Sequence, residues 1–210
     1  LGDVVADLLF DEIVSLNLVP ATKLNINNIS KELGISRTPV TEAINKLVSI
    51  GFVEVRPNAS GYYVSPLTMS ELIELYNARA AIEDYLAQYP TIRLVLDLHR
   101  DAAGDGNGGQ VSTSATVSGE EASQLMLVLG TDEGSTSHPN WQENLSLGLK
   151  LAAMLEQQNP GVCRGINLRR HRFNMDLSPG GLLIEVGTAG DTHQKALHAA
   201  AALAEGILAL

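Results

Sequence analysis

Positive charge is scarce in this chain: 14 Lys and Arg stand against 24 Asp and Glu, a formal net charge of −10. A protein of that balance does not coat nucleic acid indiscriminately, because neutralising phosphate takes clustered cations. The deficit is uneven, however. Between residues 20 and 65, five cations (Lys23, Lys31, Arg37, Lys46, Arg56) face three acids (Glu32, Glu42, Glu54), a net +2 that leaves room for a local DNA-reading surface. Cysteine is almost missing. With Cys163 alone, no intrachain disulfide can form and no secreted disulfide framework is implied. No apolar run is long enough to span a bilayer. Residues 1–16 mix Asp3, Asp7, Asp11 and Glu12 among their apolar residues, unlike the charged and apolar regions of a signal peptide. These absences lead to the expectation of a cytoplasmic protein without a membrane span. At 45% hydrophobic and 18% charged residues, the 210-residue chain can build at least one packed core.

Composition changes near residue 87. Glycine is rare before it; Gly and Ala abound after it, with a Gly/Ser/Thr-rich stretch over 102–119. In the first part, Val5, Leu9, Ile13 and Leu16 recur at helical spacing and predict a helix over 3–16. A short helix follows at 28–33, closed by Gly34. Ser36 is placed to cap a third helix that tolerates Pro39 in its first turn and turns Val40, Ala43, Ile44 and Leu47 inward. Gly51 stops it. Strands are expected at 52–55 and 62–64 around the turn 57–61, and Thr68 with Glu71 reads as a capping box opening a helix to about Gln88. In the second part, 92–98 reads as a strand buried on both faces and 125–129 as another. Residues 141–157 read as a helix with Leu145, Leu149, Ala152 and Leu155 inward, 182–186 as a buried strand and 193–209 as a closing helix. The fold class expected is α+β followed by α/β: a winged helix-turn-helix over 1–86, then an incomplete three-layer α/β domain over 87–210.

Helix, short helix, turn, capped helix and two-stranded wing is the order of a winged helix-turn-helix. The run Gly34-Ile35-Ser36-Arg37-Thr38-Pro39-Val40-Thr41-Glu42-Ala43, with Pro20 to Leu24 before it and Gly51-Phe52-Val53-Glu54 and Gly61 after it, resembles GntR-family transcriptional regulators over residues 1 to about 85. The face opposite Val40, Ile44 and Leu47 carries Arg37, Thr38, Thr41 and Asn45, donors suited to base edges and phosphates at a helix N-terminus. The resemblance implies DNA contacts by Ser36, Arg37 and Thr38, with the wing near Gly61 at the minor groove. Read without it, Ser36 is a cap and Arg37 a solvated charge. Thr41 stands where the family usually has Arg, Asn27 and Asn28 where another Arg is common, and Ala21 where Gly is common. Residues 76–83 resemble the first effector-domain helix of the fatty-acid-regulator branch, but the rest of that all-helical domain, with its metal site and dimer contacts, does not follow.

From about Tyr85 a second resemblance takes over. Val95-Leu96-Asp97-Leu98-His99-Arg100-Asp101, Val128-Leu129-Gly130-Thr131, His138-Pro139-Asn140-Trp141, Arg172-Phe173-Asn174-Met175-Asp176 and Leu183-Ile184-Glu185-Val186-Gly187 together resemble the C-terminal part of stage II sporulation protein P, a family of zinc N-acetylmuramoyl-L-alanine amidases. His99 falls at the carboxyl end of a predicted strand, where ligands bind in open α/β sheets. Glu185 falls inside an apolar strand, where desolvation lifts a carboxyl toward what a general base needs. The resemblance gives His99 the role of a Zn2+ ligand and Glu185 that of catalytic base. Without it, His99 reads as a satisfied strand-end histidine and Glu185 as the partner of Arg100 or Arg172. His138 reads as a loop or helix-start residue. Asp191 stands where the family usually has Asn.

A catalytic zinc takes three protein ligands and an open position. The family draws a further His and a Glu from the first half of its domain, whereas all five histidines here lie after residue 98. Whether the chain is an enzyme turns on those ligands; with the site incomplete, it is expected to be inactive or nearly so. Three readings follow. One is a DNA-binding module with a non-catalytic passenger; another is a peptidoglycan hydrolase whose zinc site is completed elsewhere. The third is a chimera without joint function, suggested because regulators work in the cytoplasm and these amidases outside the membrane. Expected partners are DNA through residues 20–65, peptidoglycan, and a second copy, by homodimerisation or through an open strand edge near 92–98.

Overall fold

The computed structural model describes the chain except residues 57–59, 67, 104–108 and 135–136, and describes no side chain for residues 71, 72 and 75. Most of the 57–61 turn and the Glu71 half of the expected capping box therefore lie outside the described residues. The chain divides into two compact units, Leu1–Glu74 with Ala102–Gly109, and Leu75–Asp101 with Gln110–Leu210.

The first unit contains α1 (Gly2–Val14), β1 (Lys23–Leu24), α2 (Ile26–Leu33), α3 (Arg37–Ser49), β2 (Val53–Val55) and β3 (Tyr62–Val64), and the start of α4 (Met69–Gln88). Its core joins Val5, Leu9 and Ile13 of α1 to Val40, Ala43, Ile44 and Leu47 of α3, with Leu24, Val53 and Val64 from the strands. The predicted inward stripe of α3 is thus the buried one. The short helix starts earlier than expected because Asn25, in an extended conformation, accepts hydrogen bonds from the amides of Asn27 and Asn28. Gly34 ends it in the left-handed region, at φ 66°. Strand β1 has no sequence signature. Its two residues pair antiparallel with Tyr62 and Tyr63, giving the order β1-β3-β2. Helices and a small sheet in this order form a winged helix.

The second unit contains the rest of α4, then β4 (Val95–Asp101), β5 (Ala115–Val117), β6 (Glu120–Ala122), β7 (Leu125–Gly130), α5 (Trp141–Gln158), β8 (Cys163–Arg169), a 3-10 turn at Met175–Leu177, β9 (Gly181–Thr188) and α6 (His193–Leu208). Its main sheet has the order β4-β9-β7-β8, with β4 parallel to β9, β9 antiparallel to β7, and β7 parallel to β8. Leu125, Leu127 and Leu129 of β7 share one core with Leu182, Ile184 and Val186 of β9, Leu151 and Leu155 of α5, and Ala199, Ala202 and Leu203 of α6. Alternation along a strand places these on one face, so α5 and α6 cover that face. On the opposite face Val128 and Leu183, paired across β7 and β9, are buried as well.

Two sequence expectations are corrected here. The strand read over 92–98 as buried on both faces runs over 95–101, lies at a sheet edge, and leaves Leu98 55% exposed. On α5 the expected Leu145, Ala152 and Leu155 pack on the core, with Asn144, Gly148 and Leu151 buried beside them, but Leu149 is exposed. The cause is Gly148: a Cβ there would stand 2.7 Å from Cδ1 of Leu129, so the helix approaches the sheet where its side chain is smallest. No described helix is long and apolar enough to cross a membrane.

Candidate nucleic-acid interface and candidate hydrolase site

In the first unit, Ser36 precedes α3 in an extended conformation (φ −70°, ψ 166°) and makes no side-chain capping bond, contrary to the expected cap. The first-turn amides of a helix have no intrahelical partner, and here no serine oxygen covers them. Ser36, Arg37 and Thr38 are exposed, and Arg37 forms no ion pair among the described residues. Thr41 is less available: its hydroxyl donates to the Arg37 carbonyl at 3.0 Å. Asn45 accepts from the Tyr62 hydroxyl at 3.2 Å, which ties the helix to the wing. Gly61 has φ 121°, a conformation that disfavours any side chain. The structure therefore groups Ser36, Arg37 and Thr38 at one exposed helix end and places Asn45 against the wing that Gly61 introduces. Of the remaining cations, Lys46 pairs with Asp3 at 2.6 Å and Arg56 with Glu54 at 2.6 Å.

In the second unit, β4 and β9 are in register with His99 opposite Glu185. Side chains of paired residues share a sheet face, and the alternation of β4 adds Asp97 to it. This face is the one not covered by α5 and α6. His99 is half-exposed, with Nε2 2.8 Å from Oδ1 of Asp97. Glu185 pairs with neither Arg100 nor Arg172. Arg100 donates to the carbonyls of Thr188 and Asp191 at 2.5 Å, and Arg172 pairs with Asp176 at 3.1 Å. Oε2 of Glu185 is buried with no hydrogen-bond partner among the described residues. Burial first, then the nearby Asp101 charge, push the Glu185 carboxyl above its ordinary range, against the opposing pull of His99 and Arg164. Arg164 itself is held by Asp101 at 2.5 Å. A desolvated carboxyl beside an imidazole can take up and release a proton, the capacity of a general base.

Sequence reasoning missed the side chains that hold this face in place. His138, fully buried ahead of α5, meets Oδ1 of Asn144 at 3.0 Å, and the Asn144 amide donates to the carbonyls of Ser178 and Gly181, both at 2.9 Å. This network fixes the turn that enters β9. Asp176, on the 3-10 turn, accepts both Arg79 amino groups and pairs with Arg172. Burial raises its pKa, but the Arg79 hydrogen bonds and the Arg172 charge outweigh that and hold it below the usual range. Asp191, read as a minor departure, is a buried hub that accepts from Ser112, Thr113 and Thr188. The pairs Arg79–Asp176, Asn144–Ser178 and Asp191 with Ser112 and Thr113 lie far apart in the chain, so spacing could not have paired them.

Among the described residues, no three of His, Cys, Asp and Glu converge as metal ligands, whereas a catalytic zinc takes three.

Comparison with known proteins divides the chain the same way. The family model for bacterial regulatory proteins of the gntR family matches residues 1–64. The Nta operon transcriptional regulator of Aminobacter aminovorans is 34% identical over 70 residues, 33% of either chain. The HTH-type transcriptional repressor RspR of Escherichia coli K12 is 34% identical over 77 residues, 37% of this chain and 33% of that one. The chain thus spans about a third of the length of the curated relatives that it matches. A crystal structure of a putative transcriptional regulator GntR from Rhodococcus sp. RHA1 shares 30% identity over 39% of each chain, with a TM-score of 0.35. The model for stage II sporulation protein P matches residues 74–208, more than half of the sequence. By that match the chain belongs to the stage II sporulation protein P family, and it carries a gntR-family regulatory domain ahead of the family region.

Proposed function

We propose that the chain binds duplex DNA through its N-terminal winged helix and that its sporulation-protein unit does not by itself assemble a catalytic zinc centre. The observation that carries the first part is the exposed start of α3, where Ser36, Arg37 and Thr38 surround uncovered first-turn amides. Such a helix end attracts phosphate through its dipole and offers donors to base edges. Thr41 and Asn45 serve the same face more weakly, because each already makes an internal hydrogen bond. Modules of this type read paired half-sites as dimers, so a single copy binds weakly and a second copy tightens binding. Fluorescence anisotropy of a random-sequence duplex at falling salt tests this. Binding weakened by Arg37→Ala supports the reading; no binding at low salt removes it.

A second reading, peptidoglycan hydrolysis, is favoured by Glu185, whose Oε2 is buried without a hydrogen-bond partner among the described residues and which is in register with His99. His99 alone would hold Zn2+ weakly, so activity would need ligands from elsewhere. Zinc content of the purified chain and release of dye-labelled peptidoglycan distinguish the readings. Stoichiometric zinc, with activity lost in Glu185→Gln, would overturn the inactive assignment.

A further inference from the structure

Two cations of the N-terminal unit converge on one aromatic ring, away from the buried core. Tyr63 on β3 is the register partner of both Lys23 on β1 and Glu54 on β2, so the three form a row across the small sheet. Residues in such a row share a face. Arg56, two residues beyond Glu54, places its guanidinium carbon 4.5 Å from the centre of the Tyr63 ring, and Nζ of Lys23 lies 5.7 Å from it. Gly61 makes room for this, since a Cβ there would come within 2.9 Å of Cε of Lys23. The neighbours Tyr62 and Val64 take the opposite face, where Val64 is buried and Tyr62 reaches Asn45. The one acid in the row, Glu54, pairs with Arg56.

We infer that Lys23 and Arg56, steadied on Tyr63, form a phosphate-contacting patch on the wing that binds the backbone of the duplex read by α3. The inference rests on the DNA-binding reading above. Stacking on a ring orders a cation without neutralising it, so less freedom is lost when phosphate arrives. The chain also needs such a patch. Thr41 and Asn27 bring no charge to the helix-turn-helix. Glu54 opposes the patch by holding Arg56 and by repelling phosphate.

The test is a salt titration of the full chain on a random-sequence duplex, read by anisotropy, with circular dichroism to confirm the fold of each variant. Each lost phosphate contact reduces the slope of log K against log salt by about 0.9. Lys23→Ala with Arg56→Ala is therefore expected to reduce the slope by about 1.8 and weaken binding at low salt. The charge-conserving pair Lys23→Arg with Arg56→Lys should restore the slope. Glu54→Gln should tighten binding, which loss of a merely structural ion pair would not do. An unchanged slope and affinity in the double alanine variant, with Arg37→Ala still weakening binding, would overturn the wing patch and leave the recognition helix standing. No binding by the unaltered chain at any salt would overturn both.

Discussion

Replacing Asp191 by Asn changes one atom and should nevertheless cost the second unit much of its stability. The Asp191 side chain is wholly buried, and each of its oxygens accepts a fixed backbone amide: Oδ1 from Thr113 at 2.9 Å and Oδ2 from Thr188 at 2.8 Å. Ser112 and Thr113 add hydroxyl donors at 2.6 and 2.9 Å, and Nζ of Lys195 stands at 3.4 Å. Asparagine offers one acceptor oxygen. Either way round, its NH2 group faces a buried N–H that cannot turn away. An unsatisfied buried donor costs about 1–3 kcal/mol, and the lost charge on the remaining hydrogen bonds adds to it, for a total of about 2–4 kcal/mol. The single tryptophan, Trp141, lies in this unit and reports its unfolding. With an ordinary urea m-value, that loss moves the midpoint by about 1–2 M. The hydrogen bonds also hold the Asp191 carboxyl far below its ordinary pKa, against the opposing effect of burial. A depressed folded-state pKa gives stability that is full above the unfolded value of about 3.9 and is lost as pH falls below it. The unaltered unit should therefore destabilise steeply in acid, and Asp191→Asn should flatten that acid limb. A midpoint within about 0.3 M of the unaltered chain would refute the one-oxygen-per-amide argument.

Further perturbations probe other parts of the structure. Glu185 has a raised folded-state pKa, so it binds its proton more tightly folded than unfolded, and stability falls as pH rises from the unfolded value toward the folded one. Glu185→Gln should therefore raise the urea midpoint at neutral pH and remove this dependence, whereas a lower midpoint would mean that the carboxylate has a stabilising partner. Ala21 sits at φ 67°, where an L-residue is strained by about 1–2 kcal/mol. Ala21→Gly relieves that strain and gives back part of it in unfolded-state entropy, so a net gain of about 0.5–1 kcal/mol is expected in thermal unfolding of the first unit.

The periodic parts of the fold were legible because periodicity reports burial directly. Val40, Ala43, Ile44 and Leu47 are buried along α3 as their spacing required, and Glu185 is desolvated as its apolar neighbours required. The two-residue strand β1 carries no pattern; its pairing with Tyr62 and Tyr63 creates it. β8 hid for another reason. Its residues Cys163–Arg169 are mostly half-buried and include Arg164 and Gly165, so no alternation marks a strand at the sheet edge. On α5 one residue of the expected stripe, Leu149, faces out, because the approach to β7 is set by Gly148. Of the candidate sites, the recognition helix and the places of His99 and Glu185 on strands were within reach of sequence, whereas the register that sets the two opposite each other was not. The Asp191 hub and the Tyr63 platform depend on long-range partners that only the folded chain brings together.

Under the proposed function, DNA is bound by the N-terminal unit alone, through the start of α3 and the wing. Hydrogen–deuterium exchange of the full chain, with and without saturating duplex at low salt, locates the bound surface. Protection is expected in peptides spanning 36–45 and 53–64, with exchange over 125–208 unchanged. Protection confined to the second unit, or none in either, would contradict it.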